Sequence, residues 1–443
     1  MFGYSMVKMV RYHGNRIDRP LRDIILNLYR PFKWTPCFLH NLFEGTIRKN
    51  RKLSVIIEFQ NGCYQTGCNT VTKILSNHTR NQIKHHFSRV SCCSAEITPN
   101  GLEDILDNCS DVKRIYLNRN VQAFLDVAKG SANARNVERK DTVLTGEGVK
   151  IAIIDTGIHP HQDLAGRITD FVDFVNNRVE PYDDNGHGTH CAGDAAGDGS
   201  ASLGKYAGPA PRANLVGIKV LDKLGSGTLE TVMQGVEWCI QYNENEEHED
   251  KIDIISMSLG STAQNYGEEN KDPMVSIVEA AWASGIVVCV AAGNEGPESR
   301  TIASPGVSDQ IITVGAYDDR NTIDRADDNV ASFSSRGPTI YGETKPDVLA
   351  PGVNIVSLRS PNSYLDKLQK ANRVDNDYFT LSGTSMATPI CAGIVALLLE
   401  NNPNIKPKEV KKLLMKGADS VPTLNPNIHG AGYINAENSI PLN

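Results

Sequence analysis

The stretch that decides the fold runs from Gly148 to Gly157 and reads GVKIAIIDTG. Its centre, Val149–Ile154, is a nearly continuous apolar run, which is typical of a strand buried on both faces of a parallel sheet. Similar runs follow at Leu215–Val220, Ile252–Met257, Ile286–Ala291 and Ile311–Val314. Helical patterns lie between or after them, at Thr228–Tyr242, Met274–Ser284, Met386–Glu400 and Lys408–Lys416. This alternation predicts an α/β domain over residues 141–443, with a doubly wound, mostly parallel sheet.

The chain before this domain has a different pattern. Residues 1–50 are basic and look helical, so we expect an N-terminal extension there. Residues 51–125 alternate strand and helix patterns, which predicts a small α+β domain with helices on one face of a sheet. Residues 126–140 read DVAKGSANARNVERK and are mostly small or polar, which predicts a linker.

The charge is divided unevenly along the chain. Residues 1–125 hold 18 Lys and Arg against 9 Asp and Glu, a net charge of +9, whereas the rest holds 27 against 43, a net charge of −16. A basic segment can bind nucleic acid, but no aromatic residues are interleaved with the basic ones. We therefore expect no nucleic-acid partner, and we expect the two halves to attract each other.

The cysteines and the apolar runs bear on location. Ten cysteines are present, six of them before residue 110. Cys63-x4-Cys68 and the pair Cys92-Cys93 fit no common zinc pattern, so we predict buried thiols. Charged residues interrupt the first 30 positions, where a signal peptide needs an apolar core, and no run of about 18 apolar residues occurs. These patterns predict a cytoplasmic protein without a membrane partner, with release by a non-classical route as the alternative.

Four polar residues end a strand or begin a helix, where this architecture gathers its sites. They are Asp155 in IIDTG, His187 in NGHGTH, Asn294 in AAGN and Ser385 in SGTSMATP. A serine is a weak nucleophile that needs a base, and histidine suits that role because its pKa lies near neutrality. The histidine needs a buried carboxylate, and the oxyanion that forms needs an amide donor. The four segments together therefore favour a serine hydrolase.

Each segment alone has another interpretation. Asp-Thr-Gly also marks aspartic proteases, but these need two such carboxylates and the chain has a single Asp-Thr-Gly. His187 and His190 could bind a metal, but the pattern His-Glu-x-x-His is lacking. Asn294 could be a turn residue and Ser385 a helix N-cap. An esterase would place its serine first, in Gly-x-Ser-x-Gly, whereas Ser385 comes last in the chain. The combination outweighs these alternatives.

Seven blocks within residues 140–440 resemble the subtilisin-like (subtilase) family of serine proteases, and especially its AprX-type members in bacilli. They are DTGIHPHQDL, NGHGTHCAG, SMSLGS, VVCVAAGNEG, SFSSRGP, KPDVLAPG and LSGTSMATPICAG. The resemblance implies an endopeptidase of broad, mainly apolar specificity. It implies that Asp155 orients His187, and that His187 takes the proton of Ser385. Asn294 and the Ser385 amide would then form the oxyanion hole. A catalytically inactive binding module is the alternative.

The resemblance also implies which residues hold the protein or peptide substrate. Ser258, Leu259 and Gly260 match the strand to which a peptide adds as an extra β-strand. The pocket for the residue before the scissile bond would be formed by Ala291, Ala292, Gly293, Glu295 and Ala303. Because alanine is small and neutral, the pocket floor at Ala303 predicts room for medium to large apolar side chains.

Two further expectations come from the same resemblance. Residues 51–125 resemble the family's inhibitory propeptide, so the chain's own N-terminal domain is predicted to inhibit it until cleavage near Ala123–Ser131. A permanent accessory domain is the alternative, and residues 1–50 have no assigned role. The chemistry needs no cofactor. A structural Ca²⁺ ion is an open alternative, because Asp163 occupies a familiar position while residues 197–208 offer few oxygen ligands. No metal ligands are therefore assigned.

Overall fold

The computed structural model describes residues 5–29, 32, 40–77, 80–118, 120–123, 131–134, 136–245, 250–320, 328–421 and 423–442. They belong to two compact units, Met1–Arg119 and Asn120–Asn443. The predicted domain boundary, at residue 125, lies after the observed boundary between Arg119 and Asn120. The difference arises because the strand Asn120–Ala123 pairs within the second unit. The start of the predicted linker, residues 126–130, lies outside the described residues. Its end contains the short strand Glu138–Arg139, which pairs with Thr142–Val143.

The first unit is an antiparallel sheet with five helices among its described residues. Its strands lie in the order Gln82–Phe87, Cys92–Ile97, Leu53–Phe59 and Val112–Leu117. Its helices are Ser5–Tyr12, Arg19–Asn27, His40–Asn50, Tyr64–Ser76 and Pro99–Asn108. The edge strand Gln82–Phe87 was not predicted, because its side chains are mostly polar and exposed and show no apolar alternation.

The N-terminal helices belong to the core of this unit and are not a separate extension. Met6, Met9, Leu21 and Ile25 are buried in the same apolar cluster as Val55 of the sheet. The amphipathic pattern of this region indicates an apolar face, but a sequence period does not say which surface covers that face.

Ile25→Ala should therefore lower the free energy of unfolding of the first unit by about 2–5 kcal/mol, the usual cost of emptying a buried Ile or Leu site. Leu26 is the matched control, because it is 40% exposed while Ile25 is fully buried. Leu26→Ala should change stability by less than about 0.5 kcal/mol. Urea denaturation of the full-length chain measures both variants, and equal effects would contradict the shared core.

The second unit is built on one large, mostly parallel sheet. Its strands lie in the order Asn329–Val330, Ile312–Asp318, Val287–Ala291, Ile254–Met257, Lys150–Asp155, Asn214–Lys219 and Ile168–Asp173. Val348–Pro351 also pairs with Ile312–Asp318. These pairs are parallel except the one that Asn329–Val330 makes. The predicted doubly wound α/β sheet is present. Ile168–Asp173 and Val348–Pro351 were not predicted, because their apolar runs are interrupted or very short.

Helices, two three-stranded antiparallel sheets and the two-stranded pair described above complete this unit. The helices are His187–Ala196, Leu229–Glu244, Pro273–Ala283, Tyr364–Leu368, Thr384–Asn401, Pro407–Gly417, Pro426–His429 and Ala436–Ser439. The small sheets are Ile355–Leu358, Tyr378–Leu381 and Arg373–Val374, and Ser226–Thr228, Asn120–Ala123 and Leu259–Gly260. Among the described residues, Thr384–Asn401 is the one helix long and apolar enough to cross a membrane. It is 89% buried, as expected of a core helix.

Candidate active site

A buried carboxylate lies at the carboxyl edge of the large sheet. Asp155 ends the strand Lys150–Asp155, every residue of which is buried, and His187 begins a helix beside it. His187 Nδ1–H donates to Asp155 Oδ1 at 2.7 Å, and the Thr156 amide donates to the same oxygen at 2.7 Å. Because both side chains are fully buried, these bonds replace the water that the carboxylate has lost. The imidazole therefore has one fixed orientation and tautomer.

Asp183 secures the start of the histidine helix. Its carboxylate accepts hydrogen bonds from the amides of Asn185 at 3.0 Å and Thr189 at 2.9 Å. Thr156 Oγ1, from the turn after the aspartate strand, also donates to it at 3.0 Å. Asp183 thereby ties that strand to the helix, a role that the sequence analysis missed. The available signal was an aspartate shortly before a helix start, a position that caps exposed amides.

The serine depends on a proline within its own helix. Pro389 has no N–H, so it leaves the carbonyl of Ser385 without the usual helical donor. Ser258 Oγ donates to that carbonyl at 2.6 Å, and Ser385 Oγ donates to the carbonyl of Ser258 at 3.2 Å. Ser385 is fully buried. The exchange of hydrogen bonds fixes the serine against the segment predicted to bind substrate.

The side chain of Cys191 contacts both the serine and the histidine. Its Sγ lies 3.5 Å from the carbonyl oxygen of Ser385 and 3.8 Å from His187 Nδ1, so both residues border the same sulfur. Burial raises the pKa of the Cys191 thiol to about 12, which keeps it neutral at ordinary pH. A neutral buried thiol packs against the pair and does not compete with the serine as a nucleophile.

Asn294 supplies a donor that has no acceptor among the described residues. Its Oδ1 accepts hydrogen bonds from the amide and the hydroxyl of Thr384, both at 3.0 Å. These bonds fix the orientation of the side-chain amide next to Ser385. The Nδ2 atom is buried and unpaired. Leaving a buried donor unpaired costs free energy, and an oxyanion beside it would offset that cost. Such a donor is what an oxyanion hole requires.

The predicted substrate strand is already paired with the chain's own backbone. Leu259–Gly260 lies antiparallel to Asn120–Ala123, whose other edge pairs with Ser226–Thr228. The register sets Ala123 opposite Leu259. Residues 120–123 therefore fill the position between two strands in which a bound peptide would lie. Ser258 directly precedes the strand Leu259–Gly260 and is hydrogen-bonded to Ser385. The position between the two strands therefore lies close to the serine.

The predicted pocket residues meet at the end of the strand Val287–Ala291. Ala303 is buried, and its amide donates to the carbonyl of Ala292 at 2.9 Å. The side chain of Ala292 belongs to a small apolar cluster, so it faces the core and only its backbone can line a pocket. Ala291 is buried at the end of its strand.

The remaining two pocket residues lie next to Ser335. Gly293 has a φ of +109°, and a Cβ on it would lie 2.9 Å from Ser335 Oγ, so the position requires glycine. Glu295 is exposed, and its amide donates to Ser335 Oγ at 3.1 Å.

Asp163, the carboxylate considered for a calcium site, is surrounded by hydrogen-bond donors. Tyr378 Oη donates to Oδ2 at 2.7 Å, and the Ala201 amide and Ser200 Oγ donate to Oδ1 at 2.9 and 3.3 Å. A calcium ion needs six to eight oxygen ligands at about 2.3–2.6 Å. Because donors occupy both carboxylate oxygens, the residues present do not fit calcium at Asp163.

A cavity of about 780 Å³ lies elsewhere in the second unit. Asp194, Tyr206, Ile355 and Asn435 are among its lining residues, and none of the predicted site residues lines it. The predicted substrate strand Leu259–Gly260, and not this cavity, lies beside the predicted catalytic serine.

The fold and these side chains define a serine protease of the subtilisin type. Residues 146–432 match the model of the subtilase family (peptidase S8), so the chain belongs to that family. The predictions of a subtilisin-like fold and of a serine protease are thereby confirmed.

Individual relatives agree with this assignment. The chain is 60% identical over 441 residues to the serine protease AprX of Bacillus subtilis (strain 168), with 100% of both chains covered. It is 36% identical over 296 residues to subtilisin DY of Bacillus licheniformis, covering 66% of this chain and 90% of that protein. The crystal structure of fervidolysin from Fervidobacterium pennivorans is similar in fold, with a TM-score of 0.68 and 20% identity. That match covers 88% of this chain and 61% of the other.

Asn294→Ala should lower kcat by about 10²–10³ with little change in KM, a loss known for such a donor in subtilisin and carried over from it. The donor bonds a charge that exists only in the transition state, so substrate binding is nearly unaffected. Glu298→Ala, at an exposed residue shortly after Asn294, is the control and should leave kcat nearly unchanged. Steady-state kinetics on a chromogenic peptide decides, and a raised KM at unchanged kcat would assign Asn294 to substrate binding.

The pH profile should report the buried Asp155–His187 pair. Burial disfavours the imidazolium, but the Asp155 carboxylate outweighs it and raises the pKa of His187 well above its usual range. Only the neutral ring can accept a proton from Ser385, so kcat/KM should rise with pH through this raised pKa.

Asp155→Asn removes the charge that raises this pKa. The acid limb of the kcat/KM profile should therefore move to lower pH, and the plateau should fall by about 10⁴ because the ring loses its tautomer and orientation. An acid limb that stays in place would contradict the role given to Asp155.

Proposed function

We propose that this protease is an endopeptidase of broad, mainly apolar specificity that acts through an acyl-enzyme intermediate. Ser385 Oγ attacks the scissile carbonyl carbon as its proton passes to His187 Nε2. The oxyanion accepts hydrogen bonds from Asn294 Nδ2 and the Ser385 amide. The leaving amine takes the proton from His187, and an ester on Ser385 remains. Water then attacks this ester by the same steps in reverse and restores the serine.

The observation that carries this proposal is the unpaired Nδ2 of Asn294 beside a serine. A buried donor without an acceptor is costly in a resting protein. It becomes useful when a negative oxygen forms there, which is the event that separates acyl transfer from peptide binding. This observation argues against an inactive binding module, because no oxyanion would form there to offset the free-energy cost of the unpaired donor.

The expected specificity follows from how the strand Leu259–Gly260 and the neighbouring pocket would hold a peptide. Strand pairing with Leu259–Gly260 recognises main-chain groups, which every peptide carries. The pocket residues Ala291, Gly293 and Ala303 are small and leave space for medium to large apolar side chains. Glu295 at the rim should tolerate basic ones. A peptide library should therefore show a broad apolar preference before the scissile bond, and a strict demand for paired basic residues would contradict it.

We further propose that the N-terminal part of the chain inhibits the protease until it is cut. Asn120–Ala123 pairs with the proposed substrate strand and directly follows the first unit in sequence. A strand bound in this way can be cleaved just beyond Ala123, within the predicted range 123–131. The net charges of +9 before residue 126 and −16 after it favour association of the two parts.

The nucleophile is tested with Ser385→Ala in the full-length chain. The substitution deletes one hydroxyl, so the fold should persist while peptidase activity disappears. A sulfonyl fluoride should label Ser385 in the wild-type chain, as shown by peptide mass mapping. Activity that survives in Ser385→Ala, or a label on another residue, would overturn the assignment.

Inhibition is tested by adding N-terminal fragments to the processed enzyme. Residues 1–125 should inhibit, and inhibition should weaken as salt rises because opposite charges contribute to binding. Residues 1–119, which keep the first unit but lack the strand Asn120–Ala123, are the matched control and should inhibit less. Absence of inhibition by residues 1–125 at micromolar concentration would favour a permanent accessory domain.

A further inference from the structure

Two cysteines that are 25 positions apart in sequence meet in the first unit. Cys68 lies on the helix Tyr64–Ser76, and Cys93 lies on the strand Cys92–Ile97. Both side chains are packed in the same apolar cluster of this unit. Cys93 is fully buried, whereas Cys68 is 5% exposed. A small reagent can therefore reach the pair only from the side of Cys68.

An imidazole and a phenol complete this cluster. His86 is the direct cross-strand partner of Cys93, and its Nδ1 lies 3.4 Å from Cys68 Sγ. Tyr64 Oη lies 2.9 Å from the same nitrogen. The side chain of His86 is exposed, so the open side of Cys68 is a polar edge.

The cluster makes the two thiols unequal. The neighbouring Cys93, together with the nearby His86, lowers the pKa of Cys68 to about 6 against the effect of burial. The neighbouring Cys68, together with burial, raises the pKa of Cys93 well above its usual range. Cys68, the less buried of the two, is therefore the cysteine that ionises more easily. A cysteine of lowered pKa beside a second cysteine is the arrangement of redox-reactive sites.

We propose that Cys68 and Cys93 are a peroxide-reactive pair that closes to a disulfide. The Cys68 thiolate attacks one oxygen of hydrogen peroxide and breaks the O–O bond. The other oxygen leaves as hydroxide and takes a proton to become water, while Cys68 is oxidised to the sulfenic acid. The sulfur of Cys93 then attacks this sulfenic sulfur, and its proton goes to the departing hydroxyl as a second water. Two thiols and one peroxide thus give one disulfide and two waters.

The second unit contains a natural comparison. Cys289 and Cys391 are also neighbours, and both are fully buried. The neighbouring Cys391 and burial raise the pKa of Cys289 well above its usual range. Contact between two sulfurs is therefore not sufficient, and this pair should stay reduced under conditions that oxidise Cys68 and Cys93.

The test uses the full-length chain with Ser385→Ala, which cannot digest itself. The protein is treated with a small excess of hydrogen peroxide, denatured in acid, alkylated and mapped by mass spectrometry without reduction. The expected product is a disulfide between Cys68 and Cys93, with Cys289 and Cys391 alkylated. Oxidation of the Cys289–Cys391 pair first, or over-oxidation of Cys68 without a disulfide, would overturn the proposal.

Single variants separate the two roles. Cys93→Ser should leave a sulfenic acid on Cys68 that dimedone traps, and Cys68→Ser should leave Cys93 reduced. Cys63→Ser, at a partly exposed cysteine near the start of the same helix, is the matched control and should not change the disulfide yield. A measurement on the unsubstituted cysteines guards against misfolded variants: iodoacetamide should label Cys68 before Cys93, and labelling of Cys93 first would contradict the assigned roles.

Discussion

The whole catalytic site depends on one buried hydrogen bond, from His187 Nδ1 to Asp155 Oδ1. A carboxylate without water is tolerated only when donors surround it, and here the imidazole and the Thr156 amide are two of them. The parallel sheet puts this aspartate at the end of a strand that has neighbours on both sides. The bond therefore forms in a rigid and dry place, where an electrostatic interaction is strong.

The other parts of the site are fixed by hydrogen bonds to backbone groups that the helix Thr384–Asn401 does not use itself. Pro389 leaves the carbonyl of Ser385 open, and the hydroxyl of Ser258 uses it. The segment that begins the substrate strand is thereby bonded to the nucleophile itself. Asn294 is held by Thr384, the residue just before that serine. Small displacements of the helix Thr384–Asn401 would consequently move Ser385, the proposed nucleophile, and Asn294, the proposed oxyanion donor, together.

The sequence was most informative where a local pattern matched a tertiary environment. The continuous apolar runs predicted the central strands, because a strand buried on both faces needs no alternation. The four catalytic segments were recognisable because each chemical role admits few residue types. Asp183 was missed because its partners come from two elements, and a capping aspartate has no distinctive motif. The meeting of Cys68 with Cys93 depends on strand register and helix placement, which spacing along the chain does not reveal.

The least predictable part was the division of the chain. The strand Asn120–Ala123 pairs in the second unit although its sequence continues the first, because a short strand takes its partners from whichever edge is open. The basic helices of residues 1–50 belong to the core of the first unit, and their own sequence does not indicate which surface they pack against. Asp163 was a reasonable calcium ligand by position, yet the donors around it come from residues 37 or more positions away.

A crystal structure of the processed enzyme with a peptide boronate tests the central claim most directly, because the boron forms a stable tetrahedral adduct with the nucleophile. Our account predicts a covalent bond from Ser385 Oγ to boron, with one boron-bound oxygen within hydrogen-bond distance of Asn294 Nδ2. The peptide should lie antiparallel to Leu259–Gly260, in the place of residues 120–123. A covalent bond to any other residue, or an oxygen that points away from Asn294, would contradict the account.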